Sequence, residues 1–297
     1  MINLVFGVSG SGKSAYIEEQ ITADVAAGRE AYLIVPEQQT YVAERRYTKI
    51  LPPSAQLCFE VLNFTRLANK IFREYGGLSY NYIDTGMKSL LMWNNLRELA
   101  PILEEYGRPA SSPADAARLA PLMLSAAGEL KAAAVSPAEL EVAAKKLPEA
   151  SALRARLLDI SLIVASYQNL VTQSYDDASD DLTKAAELLN EHDFFSGKHV
   201  YIDSFTSYTA QEYAIIKQIF RQADSVTITI GCEGPESRQI HFATLRDTAK
   251  RLCRLAAERG RCNIVKLGEP KRFSSPELAL LEKYLWRMDC PEIPKSE

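Results

Sequence analysis

The apolar run Ile2–Phe6 leads directly into Gly7-Val-Ser-Gly-Ser-Gly12-Lys13-Ser14, and the residues after it, to about Ala27, repeat at helical spacing. A buried strand, a glycine turn and a helix in that order leave the chain little choice. The string fits G-x-x-x-x-G-K-[ST], in which glycines let successive main-chain N–H groups curl toward phosphate oxygens at the positive end of a helix dipole. Gly7, Ser9, Gly10, Ser11, Gly12, Lys13 and Ser14 are therefore the candidate nucleotide-binding residues. Lys13 is expected to reach the β- and γ-phosphates, and the Ser14 hydroxyl to ligate Mg²⁺.

The pattern around this turn predicts an α/β fold. Strands are expected at Ile2–Phe6, Ala31–Val35 and Gln56–Val61, with helices at about 13–27, 38–50 and 65–75 between and after them. Strands alternating with 10-to-15-residue helices point to a parallel sheet with crossover helices. From about Thr85 to His192 the pattern is helical, with Ser112-Pro113 and the capping box Ser136-Pro137-Ala138-Glu139, which predicts an inserted block of four or five helices. Strands return at His199–Asp203, Ser225–Ile230 and Cys262–Leu267, separated by helices at about 209–221 and 242–258. The expected organisation is one parallel-sheet domain split into 1–84 and 196–297, with a helical domain at 85–195.

A phosphate loop of this kind needs an acidic partner at the end of another strand. His199-Val-Tyr-Ile-Asp203 supplies one, so Asp203 is expected to hold Mg²⁺ with Ser14, or else to be a helix-capping or turn aspartate. The next residue is Ser204, where a motor ATPase has a glutamate that polarises water, and a serine accepts no proton at neutral pH. Binding with poor hydrolysis is the expectation. Gln211 either senses a γ-phosphate, or caps its helix or faces solvent on it.

The net charge of -4 gives no basic footprint of a dedicated duplex-DNA binder. Five dispersed cysteines without a CxxC pair read as reduced thiols rather than a zinc site or disulfide framework. With no apolar run near the roughly 20 residues that cross a bilayer, and a strand beginning at Ile2, a soluble, cytoplasmic protein with no membrane association is expected.

Beyond the phosphate loop, the strings Leu33-Ile-Val-Pro-Glu-Gln-Gln-Thr-Tyr41, Val61-Leu-Asn-Phe-Thr-Arg-Leu-Ala68, Tyr201-Ile-Asp-Ser-Phe-Thr-Ser-Tyr-Thr209 and Ser275-Pro-Glu-Leu-Ala-Leu-Leu-Glu-Lys-Tyr-Leu285 follow in order. Together with Phe6–Ser14 they resemble the N-terminal part of the B subunit of the AddAB-type (RexAB-type) ATP-dependent helicase–nuclease. The resemblance implies a P-loop RecA-like, superfamily-one helicase-like domain with a helical insertion. It implies ATP and Mg²⁺ as ligands, and an iron–sulfur cluster only in chain beyond residue 297. It also implies an A-subunit partner in a heterodimer, and single-stranded DNA scanned for a recombination hotspot during double-strand-break resection. The positions matching the scanning role are Gln38, Thr40, Phe64, Arg66 and Phe205. Amides and hydroxyls read base edges, aromatic rings stack on bases and arginine pairs a phosphate or a base. On the residues alone, the plainer readings are favoured: Phe64 a core residue, Gln38 and Thr40 helix caps, and Arg66 a solvated charge.

Two other classes remain open on the sequence: a small P-loop kinase of a metabolite, and a scaffold with a vestigial nucleotide site. Arg154 and Arg156 lie in the helical block, but no glycine-bounded lid surrounds them, which disfavours the kinase. A single RecA-like domain brings no facing domain to lend an arginine finger, so negligible turnover is expected.

Overall fold

The computed structural model describes residues 1–78, 82–172, 175, 177, 180–237, 242–260, 262–268 and 275–285. In chain order the first elements are β1 (Ile2–Phe6), α1 (Lys13–Ala26), β2 (Glu30–Ile34), α2 (Glu37–Ile50), β3 (Phe59–Leu62) and α3 (Phe64–Tyr75). Six helices follow among the described residues: α4 (Thr85–Leu99), α5 (Gly107–Ser111), α6 (Pro113–Ala132), α7 (Pro137–Lys145), α8 (Ala152–Thr172) and α9 (Asp181–Glu191). Then come β4 (Lys198–Ile202), α10 (Ala210–Gln222), β5 (Ser225–Ile230), α11 (Ala243–Ala257), β6 (Cys262–Lys266) and α12 (Pro276–Tyr284).

The described strands form a parallel sheet of order β3-β2-β4-β5-β1-β6. Parallel strands covered on both faces are rich in apolar and β-branched residues: β5, Ser225-Val-Thr-Ile-Thr-Ile230, is buried from Val226 to Ile230, while the edge strand β6 is largely exposed. Strand order reverses beside β1, where chain leaving β1 crosses to β2 and chain leaving β5 crosses to β6. Open α/β sheets bind ligands at the carboxyl ends of the strands at such a point. This is a P-loop RecA-like parallel-sheet domain with a helical insertion.

The chain divides into two compact units. The first comprises Met1–Leu67, Leu189–Tyr208 and Ile215–Glu297, and the second Ala68–Leu188 and Thr209–Ala214. The expected domain limits lay at 84/85 and 195/196. The third strand was expected at Gln56–Val61, but Pro53–Leu57 forms a 3-10 turn and pairing with β2 starts at Phe59. Proline at 53 presets φ for the turn and delays the extended conformation. The insertion has one helix more than expected, because five-residue α5 is too short to show a periodicity.

In the first unit, Ile17, Ile21 and Val25 of α1 pack with Ala31 and Leu33 of β2, Tyr47 of α2 and Tyr201 of β4. Within this apolar layer lies a buried carboxylate. Asp24, 7% exposed, accepts hydrogen bonds from Arg29 (2.7 Å) and from the Tyr201 hydroxyl (2.5 Å), and lies 2.6 Å from His199 Nδ1. The cluster ties the end of the P-loop helix to β4, the strand that leads into Asp203. In the second unit, Met92 and Leu96 of α4 pack with Met123 of α6 and with Ile163, Tyr167 and Val171 of α8. The Ser136–Glu139 capping box starts α7 as its sequence indicates. Among the described residues, no helix is long and apolar enough to cross a membrane.

Asp24→Asn removes the charge from a buried hydrogen-bonded cluster and is expected to cost about 2 kcal/mol in urea unfolding. A second expectation concerns alkaline pH. Burial, then the Asp177 and Asp180 carboxylates, push the Tyr167 phenol from 10.0 to about 12. The raised value means that the folded state holds this proton more tightly than the unfolded chain. The associated stability is intact below pH 10 and lost as pH rises toward 12. Tyr167→Phe should flatten that loss in melting curves between those limits, with little change at pH 7.

Candidate functional site

The P-loop links β1 to α1. Gly12 begins the helix with φ of 93°, a left-handed conformation that a side chain strains. At Gly7 an added Cβ would lie 2.2 Å from Ser11 Oγ, so glycine is required there for close approach. α1 has no side-chain cap and no acidic residue in its first turn. Its first N–H groups are thus left to an external acceptor, with the helix dipole behind them. The Ser11 hydroxyl is buried and has no hydrogen-bond partner. Lys13 folds back over the loop, where Nζ donates to the carbonyl oxygens of Gly7 (2.7 Å) and Val8 (2.8 Å).

Asp203 follows β4, and its N–H donates to the Ile34 carbonyl (3.0 Å). Ser204 then takes φ of 68°, an unusual conformation for a non-glycine residue, and turns the chain sharply. The Asp203 carboxylate accepts from Ser14 Oγ (3.1 Å) on one oxygen and from the Thr229 hydroxyl of β5 on the other. Strand ends β4 and β5 and the start of α1 therefore converge on one carboxylate. The alternative of a helix cap does not describe it: α10 is capped instead by Thr209 and Glu212, each accepting the other's main-chain N–H.

Lys13, Ser14 and Asp203 open into a cleft of about 640 Å³. Ser204 and Phe205 line it too, as do two residues of α2, Gln39 and Arg46. Seven positions apart, Gln39 and Arg46 lie on one helix face, and the sequence reading overlooked both. It also overlooked Thr229 of β5, which only its contact with Asp203 marks. Among the described residues lining the cleft, Asp203 is the one carboxylate. Beside it Tyr47 is buried, and burial pushes its phenol well above the ordinary value; Glu18 adds to the rise, Arg46 opposes it and Asp203 adds a little more.

The remaining candidates are placed as follows. Gln38 is exposed on α2, whereas Thr40 is 3% exposed, its hydroxyl donating to the Pro36 carbonyl (3.4 Å). Arg66 is exposed and paired with Glu44. Phe64 is 4% exposed and meets Phe205 and Tyr208 edge-on, with centroids 5.5 and 6.3 Å away, while Phe205 stacks on Tyr208 at 5.0 Å. Gln211 belongs to the second unit, where Nε2 donates to Thr183 Oγ1 (2.8 Å), and it does not line the cleft. Cys58, Cys232, Cys253 and Cys262 are free thiols, and Cys290 lies outside the described residues.

Nothing fills the space where a Gly12 Cβ would point, the Ser11 hydroxyl is orphaned, and Ser14 and Asp203 present hard oxygen donors side by side. Groups of three or more metal-ligating acidic, histidine or cysteine side chains are absent among the described residues. This donor set suits a cation that keeps waters and shares phosphate oxygens, as Mg²⁺ does, better than one caged by protein.

A family model described as ADDB, N-terminal, matches residues 4–282. The B subunit of the ATP-dependent helicase/deoxyribonuclease of Acetivibrio thermocellus is 31% identical over 295 residues, covering 96% of this chain and 25% of that protein. Its namesake in Thermoanaerobacter sp. (strain X514) is 27% identical with the same two coverages. That of Clostridium tetani is 29% identical over 239 residues, 78% of this chain and 20% of that protein. The chain spans about a quarter of the length of the curated relatives it matches most fully. A family model matching nearly the whole sequence shows that the chain belongs to the AddB N-terminal family.

Proposed function

We propose that the chain is the nucleotide-binding N-terminal part of the B subunit of an ATP-dependent helicase–deoxyribonuclease. In this reading it works with an A subunit in double-strand-break resection and recombinational repair. Main-chain N–H groups of the Gly7–Ser14 loop hold the phosphates of ATP. Lys13 leaves the Gly7 and Val8 carbonyls to pair with them, and Ser14 and Asp203 hold Mg²⁺, which neutralises phosphate charge when bound. The observation that carries this reading is the Asp203 carboxylate shared by Ser14 and Thr229 at the mouth of the cleft.

Hydrolysis by this chain alone is weak or absent in the same reading. The described cleft supplies no carboxylate besides Asp203, which is engaged by two hydroxyls, and Ser204 accepts no proton. Single-stranded DNA is scanned by the exposed Gln38 and Arg66 and the half-buried Phe205. Thr40 and Phe64 act from beneath by holding those positions, since both are buried.

Fluorescence anisotropy with a labelled single-stranded oligonucleotide tests the DNA role. Binding should weaken with salt, and Arg66→Ala should lower affinity roughly tenfold and reduce the salt slope by about 0.7, as expected for one lost phosphate contact. Phe205→Ala should weaken binding with the salt slope unchanged. Absence of binding at low salt would contradict the scanning role. Phosphate release by the chain alone should stay at background, and sustained turnover would contradict the non-hydrolysing reading.

A further inference from the structure

One cation lining the cleft has no part in the P-loop motif. Arg46 of α2 shares the cleft with Lys13, Ser14 and Asp203, and its Nη2 contacts a carboxylate oxygen of Glu18 on α1. The arginine side chain is 47% exposed and the glutamate 26%. The contacted oxygen, Glu18 Oε2, is buried and receives no aligned hydrogen bond. With the arginine half exposed, a pair of this kind contributes little stability. A phosphate group offers a better partner, because its oxygens accept both arms of the guanidinium fork.

The location also selects which phosphate. A P-loop places the terminal phosphates toward its lysine and the metal-binding serine. Arg46 lines the same cleft as Lys13, Ser14 and Asp203, the residues of that side. Gln39 lines the cleft from the same face of α2, so this helix forms a wall of the cleft and Arg46 is part of it.

We propose that Arg46 is a phosphate-binding residue that leaves Glu18 to pair with the terminal phosphate of a bound nucleoside triphosphate. The assignment rests on the nucleotide site proposed above. It gives this domain, within its own sequence, a second cation for the triphosphate, and it makes a triphosphate bind better than a diphosphate. Glu18 competes with the ligand for Arg46 and returns to water when displaced.

Isothermal titration of Mg·ATP and Mg·ADP into the chain tests this, with Lys13→Ala as the reference for loss of the phosphate loop. Arg46→Ala should weaken Mg·ATP roughly tenfold and Mg·ADP much less, so the preference for triphosphate collapses. Arg46→Lys should recover part of it. Glu18→Gln, which removes the competing charge, should tighten Mg·ATP; this variant and Arg46→Lys carry the test if Arg46→Ala does not fold. An unchanged ATP-to-ADP ratio in the Arg46 variants, with both ligands lost in Lys13→Ala, would overturn the assignment and leave the nucleotide site standing. Failure of the unsubstituted chain to bind either nucleotide would overturn both.

Discussion

A helix that begins on a glycine at φ of 93°, with no side-chain cap and no acid in its first turn, presents main-chain N–H groups to an outside acceptor. The rest of the first unit is arranged around that helix start. Ile17, Ile21 and Val25 fix α1 to the sheet, and the Asp24 cluster fastens its far end to Tyr201 and His199 of β4. Three residues past His199 in the chain, β4 ends and Asp203 meets Ser14 and Thr229. The same two elements are thus tied at both ends, once by a buried charge cluster and once by the site itself.

Much of this was legible because parallel, doubly covered strands are rich in apolar and β-branched residues. Ile2–Phe6 and Ser225–Ile230 were read with the limits the structure gives them. Local chemistry was equally plain where a motif is short-range, as in the capping box at Ser136 and the glycine loop. The short strand Phe59–Leu62 was displaced because Pro53–Leu57 curls into a 3-10 turn first.

What the sequence hid depends on rotation about helices and on contacts between distant segments. Gln38 and Gln39 are adjacent and chemically identical, yet only Gln39 faces the cleft. A step of about 100° per residue decides that, and it is invisible without the helix's orientation. Thr40 and Phe64 carry recognition chemistry but are buried. Thr229 and Arg46 reach the site from β5 and α2, and only their convergence on Asp203 and the cleft marks them. Phe205 combines two settings, lining the cleft while stacking on Tyr208 and meeting Phe64 edge-on.

The central claim is that main-chain N–H groups at the start of α1 grip the phosphates of a nucleotide. Amide hydrogen exchange, followed by mass spectrometry with and without Mg·ATP, reads those groups directly. The account predicts slowed exchange concentrated in peptides covering Gly7–Ala15, with a smaller effect around Asp203. Unchanged exchange across Gly7–Ala15 at saturating Mg·ATP would contradict it.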